Sequence, residues 1–188
     1  MKTTVNILLA GLVASLLLLG CQRDPDIQSI YSTLKPGEAR LLVQIDGKDF
    51  YPAESAFKGE VFVFDTHLQL NVTDQYESNV IISFNGDKWY TQRPVKRPVV
   101  IDNQVAASAM IGRLIDPVNR RGEGYLMTDG TITVESLSAD KLVMRLDGRV
   151  GKYEYQKMPE KWNQIKGLLV YRSPKLTLQN VTAKEVYF

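Results

Sequence analysis

The two side chains that most often do chemistry near neutral pH occur once each in this chain of 188 residues: His67 and Cys21. A hydrolytic centre needs a base beside a nucleophile. His67 falls on the polar side of the alternating run Leu68, Leu70 and Val72, next to Asp65, and the sequence has no Gly-x-Ser-x-Gly elbow. His67 is therefore read as an exposed strand residue. A single Cys excludes an internal disulfide, and one His with one Cys makes no zinc set. The run Asp46-Gly47-Lys48-Asp49 is a hairpin turn before it is a ligand set, and no Asp-x-Asp-x-Asp-Gly calcium loop is present. Paired carboxylates do not show in sequence, so a carboxylate-based hydrolase stays as an alternative. No catalytic residue, metal ligand or cofactor is assigned.

What precedes Cys21 sets its chemistry. Lys2 makes the amino end positive, and Ile7 to Leu19 is an uncharged stretch of thirteen residues. As a helix it would span about 20 Å, short of a hydrocarbon core of about 30 Å. Residues 1–20 therefore read as a cleaved signal peptide. The four residues Leu18-Leu19-Gly20-Cys21 resemble the lipobox of bacterial lipoproteins. That resemblance implies cleavage after Gly20, a diacylglycerol on the Cys21 thiol and a palmitate-type acyl group on the new amino end. Several acyl chains hold a protein on a membrane durably, at about 0.8 kcal/mol per buried CH₂. Gln22 stands where Asp would retain such a protein in the inner membrane, so the resemblance implies the outer membrane. Without Lys2 the mature chain has 22 basic and 21 acidic residues, a net charge of +1. Nothing global steers it to nucleic acid.

The elements that must position any site follow period two. Leu41, Val43 and Ile45; Leu68, Leu70 and Val72; Ile132 and Val134; Leu142, Met144 and Leu146; and Leu176 and Leu178 each alternate with mostly polar neighbours. This is the pattern of strands with one face in a core. Val61–Phe64 and Val80–Ile82 lack alternation and are expected to be covered on both faces. Asp46-Gly47, Asn85-Gly86, Asp129-Gly130 and Asp147-Gly148 fit two-residue hairpin turns. They suggest pairing Val80–Phe84 with Asp87–Thr91, Tyr125–Thr128 with Thr131–Leu137, and Lys141–Leu146 with Arg149–Tyr153. Pro159 and Gly167 bracket a short helix near residues 158–166. Ala106 to Ala109 is compatible with helix, although Gly112 favours extended chain, and Asp116–Gly124 is a loop. Residues 21–38 read as a lipidated polar tether, in which Ile27, Ile30, Tyr31 and Leu34 have helical spacing. Residues 39–188 form one all-β domain of about nine or ten strands, an antiparallel β-sandwich with a closed β-barrel as the alternative.

Charge is uneven along this domain. Residues 52–80 carry a net −4 and residues 86–121 a net +4. Lys88, Trp89, Tyr90, Arg93, Lys96 and Arg97 interleave cations with aromatics and form the candidate partner-binding stretch, suited to a protein or an anionic glycan. Basic residues on an edge strand also serve to discourage strand pairing. The segment Gln44 to Phe50, with the later stretches Thr131–Val134 and Lys141–Leu146, is similar to small all-β lipoproteins of Bacteroidetes, a group with no assigned function. The combined expectation is a membrane-anchored, non-enzymatic binding or envelope-assembly module of the cell envelope. The alternatives are a lipocalin-like carrier of a small apolar ligand and the carboxylate hydrolase.

Overall fold

Alternating apolar residues leave each strand with one face to bury, and a sheet satisfies this by rolling over on itself. In the computed structural model, which describes residues 26–99 and 106–188, the strands join in one sheet. The expected signal peptide over 1–20 and the lipidated Cys21 lie outside these residues. The strands are β1 (Glu38–Ile45), β2 (Lys48–Asp49), β3 (Lys58–Phe64), β4 (His67–Thr73), β5 (Asn79–Asn85), β6 (Val95–Pro98), β7 (Ala107–Asp116), β8 (Arg121–Leu137), β9 (Lys141–Gly151), β10 (Asn163–Arg172) and β11 (Lys175–Gln179). Their order is β11-β3-β4-β5-β7-β8-β9-β10-β1-β2, with β6 also on β8. All pairs are antiparallel except β11 with β3.

The domain is all-β, and its sheet is not closed into a barrel, because the edge strands β11 and β2 do not pair. Its inner face encloses one core to which β1, β3, β4, β5, β7, β8, β9 and β10 all contribute. Phe57, Phe84, Trp89 and Tyr171 are among the largest side chains buried there. The Tyr171 hydroxyl on β10 donates to the Gly59 carbonyl on β3 at 2.8 Å, tying together strands far apart in the sheet order.

The hairpin assignments need correction at three of the four Asx-Gly pairs. Only Asp46-Gly47 forms a two-residue hairpin, with positive φ at both residues (49° and 74°). Val80–Phe84 lies in β5, between β4 and β7, while Trp89–Thr91 is a single 3-10 turn. Asp129-Gly130 and Asp147-Gly148 sit inside the long strands β8 and β9, where Gly130 lies opposite Gly148. The real β8–β9 turn is at residues 138–140, between Leu137 and Lys141. The residues around Ala107 are strand β7 rather than helix, and the expected loop over 116–124 shrinks to the turn between Asp116 and Arg121. Near 158–166 the helix is reduced to one 3-10 turn, Pro159–Lys161. From Asn163 the chain is already β10, because pairing on both sides outweighs a short local helix preference.

Residues Ile27–Thr33 form the helix α1, capped by the Asp26 carboxylate on the Gln28 amide at 3.0 Å. Ile27, Ile30, Tyr31 and Leu34 pack on Val143, Leu168 and Val170, on the outer face of β9 and β10. The Tyr31 hydroxyl donates to Asp140 at 2.7 Å, and Arg172 donates to the Leu34 carbonyl at 2.8 Å. From residue 26 onward the expected tether is therefore part of the folded domain. It is β10 that is covered on both faces. On β3 and β5 the outer residues Phe62, Phe64 and Ile81 are only half-buried.

Candidate functional site

The basic stretch does not assemble as the sequence suggests. Trp89 is fully buried and its indole N–H donates to the Phe64 carbonyl at 2.9 Å. Tyr90 is also buried, edge-on to Trp89 at 5.6 Å. Both are core residues and present no surface to a partner. Arg93 is exposed, but its guanidinium is engaged by its own chain: it donates to the carbonyls of Tyr90 (3.2 Å), Tyr187 (2.9 Å) and Glu185, and lies over the Phe188 ring at 5.1 Å. Arg97 reaches back to the Trp89 carbonyl at 3.3 Å. Lys88 and Lys96 remain exposed, Lys96 on the short strand β6 between Pro94 and Pro98. That is how an edge strand is protected from pairing. His67 stacks on Phe64 at 4.1 Å, and its Nδ1 lies 3.2 Å from the Thr66 hydroxyl. Among the described residues no group of three His, Cys, Asp or Glu is placed to hold a metal ion.

A groove of about 610 Å³ lies instead on the outer face of β1, β10 and β9. The registers place two rows of outward-facing side chains across it. Leu42, Leu168 and Arg145 form one, and Gln44, Lys166 and Asp147 the other. Asp49 on β2 and the segment Tyr51 to Ala53 make the rim. Gln44 donates to Asp49 at 3.0 Å, and Arg145 pairs with Glu135 of β8 at 2.6 Å. Leu168 is buried under α1, whereas Leu42 stays 37% exposed. The groove therefore offers an apolar patch beside two cations, two carboxylates and an amide on a rigid sheet. That set can orient a partner by paired hydrogen bonds and cover an apolar group of it.

Sequence reasoning missed these residues, because Gln44, Arg145, Asp147 and Lys166 read as ordinary outer-face polar residues. One signal was available: Leu42 puts a large apolar side chain on the polar face of β1.

The carboxyl groups whose ionisation is displaced move down. The Asn119 side-chain and backbone N–H groups hold Asp116 low, Arg149 and the Gly130 amide hold Asp129 low, and Thr182 holds Glu185 low. For Glu123, burial pushes up, but the Tyr125 hydroxyl and Arg113 together bring it below the usual range. Each is fixed as a charged acceptor, the opposite of a carboxylic acid held protonated for proton transfer. Comparison with family models, curated proteins and solved structures finds no match to the chain.

Proposed function

We propose that the protein is a lipid-anchored, non-catalytic binding module of a bacterial cell envelope, seated on the outer membrane through Cys21. It takes its protein or anionic-glycan partner on the groove over β1, β10 and β9. The observation that carries this reading is the groove itself, where an apolar patch is flanked by charges of both signs on paired strands. The α1 helix that follows the anchor packs on the same two strands, β9 and β10. Two features rank the carrier reading lower. Trp89, Phe57, Phe84 and Tyr171 fill the interior that a carrier would need open, and the sheet is not closed.

The test is a photo-crosslinking amino acid placed at Leu42 or at Lys96 in cells. Capture from Leu42 that is lost on Lys166→Glu supports the groove. Capture from Lys96 alone returns the site to the basic stretch and rejects this one. The anchor is tested separately: Cys21→Ala is expected to abolish labelling by a palmitate analogue and release the chain to the soluble fraction, and retained labelling rejects it.

A further inference from the structure

β7 and β8 continue past the rest of the sheet. The β5–β7 ladder stops at Asn79–Gly112, and the β8–β9 ladder at Leu126–Gly151. Residues 113–125 are thus a two-stranded arm whose strands pair only with each other. Its base is stiff. The Arg113 guanidinium donates to the Phe50 carbonyl and to Glu123 (3.0 Å), and it lies over the Phe50 ring at 4.5 Å. Its tip is ordered by Asp116, which accepts from the Asn119 backbone (3.1 Å) and side chain (2.7 Å). This turn holds Val118 out in water, 91% exposed.

A single exposed valine is ordinary, but a contiguous apolar patch is not. Beside Val118, Ile115 is 52% exposed and Tyr76 44%. Together with Pro52, Leu114 and Pro117 these two line a second groove of about 560 Å³, between the arm and the turn that joins β4 to β5. Knob and groove lie three residues apart in sequence, with Val118 in the turn that Asp116 orders and Ile115 on the strand that leads into it.

We propose that the arm docks against the arm of a second copy of this chain about a two-fold axis, the Val118 of each copy filling the Tyr76–Ile115 groove of the other. A two-fold contact uses one patch twice, so that patch must carry both the projection and its receptor. This patch does. Its charges match a second copy as well. Arg120 pairs with Glu77 at 3.2 Å on the groove's rim, both side chains well exposed. Two such pairs exchange partners across the axis and leave no charge unmatched, whereas a partner surface of a single sign would leave one member unpaired. Position agrees with shape. β9 runs from Lys141, next to the Asp140 that holds α1, to Gly151 at the foot of the arm. That is about 33 Å of strand, so dimerisation through the arm leaves α1 free, while Pro52 is shared between the rims of the two grooves.

The experiment places a benzoyl-phenylalanine at Val118 of the full chain in cells, irradiates, and sequences the adduct. The expected product has twice the mass of the chain, with the crosslink in the peptide containing Tyr76 or Ile115. Ile115→Asp is expected to lower its yield roughly tenfold, because it puts a charge into the apolar contact. Capture from Leu42 should be unchanged in that variant, which separates failure of this contact from failure of the proposed groove. Should Ile115→Asp not fold, the probe at Ile115 combined with Val118→Asp gives the same reading. No adduct, an adduct with any other protein, or undiminished homodimer in both variants overturns the proposal.

Discussion

Tyr125 and Glu123 show how much depends on single contacts in this domain. The Tyr125 hydroxyl donates to Glu123 at 2.8 Å, and Glu123 also takes Arg113 on its other oxygen. Burial and the neighbouring Glu123 carboxylate push the Tyr125 phenol up to about 12. A phenol whose folded pKa is raised stabilises the fold fully below its unfolded value of about 10, and that contribution is lost as pH rises toward the folded value. Alkaline titration of the urea midpoint is expected to fall between about pH 10 and pH 12 in the native protein, and less steeply in Tyr125→Phe. At neutral pH the same variant is expected to lose about 1 kcal/mol with its hydrogen bond. Equal alkaline slopes for the two proteins would reject the assignment. The sequence holds no sign of this network: Arg113 and Glu123 meet only because β7 and β8 pair them directly across. For the same reason the run from Lys88 to Arg97 reads as a surface of cations and aromatics. Composition along a chain does not say that Trp89 turns inward to the Phe64 carbonyl, or that Arg93 turns toward Glu185 and Tyr187.

Among the elements, the β8–β9 pair departs most from its expected form. Asp129-Gly130 and Asp147-Gly148 have the residues of two-residue hairpins, yet they lie opposite each other in mid-strand, with register shifts at Met127/Asp129 and Val134/Ser136. Gly130 has φ of 109° and Gly148 of 156°, and a Cβ on Gly130 would lie 2.2 Å from the Asp147 carbonyl oxygen. The two backbones touch at this point and β8 changes neighbours there: β7 pairs along its first part, β6 along its last. The glycines are what two strands need where their backbones approach this closely beside register shifts that bend them. Gly130→Ala is accordingly expected to cost about 3 kcal/mol or more, as backbone clash and unfavourable φ combine. Gly47→Asn, at a true hairpin turn with open space around it, is expected to cost less than about 1 kcal/mol. Urea denaturation of the two variants measures the contrast, and equal losses would mean that the mid-strand contact is not a constraint. Alternation and turn residues were thus enough to find β1, β3, β4, β5, β8, β9 and β11, but not β6 or β10, and they left β7 ambiguous. They could not show which Asx-Gly pairs reverse the chain, since a bend and a hairpin ask for the same backbone freedom. The short-helix signal at Pro159 failed for a related reason: once β10 has partners on both sides, tertiary pairing decides the segment.

At the scale of the whole molecule, an open sheet must protect the margins it leaves unpaired, and two small bridges do so here. At one, Ala39 and Phe57 exchange both backbone hydrogen bonds, at 2.8 and 2.9 Å, pinning β1 to the entry of β3. At the other, Leu137 and Phe188 do the same at 2.9 and 2.8 Å, drawing the final segment over the end of β8. That segment contains the short helix α2 (Ala183–Val186), capped reciprocally by Thr182 and Glu185, and its Val186 is fully buried in the core. Arg93 holds it from outside through the Glu185 and Tyr187 carbonyls and the Phe188 ring. A charged donor to backbone carbonyls contributes about 1–3 kcal/mol, so Arg93→Ala is expected to destabilise the domain by that amount. It should also raise amide exchange at Leu137 and Phe188 ahead of the rest of the sheet, because a local clasp opens before the global fold does. Lys88→Glu with Lys96→Glu, by contrast, changes exposed charges and is expected to stay within about 0.5 kcal/mol. This comparison also decides how any loss of binding in the basic stretch is to be understood. Where Arg93→Ala weakens capture and Lys88→Glu/Lys96→Glu does not, the effect runs through the clasp rather than through a contact surface. Unchanged stability and exchange in Arg93→Ala would return Arg93 to the surface role that its sequence suggests.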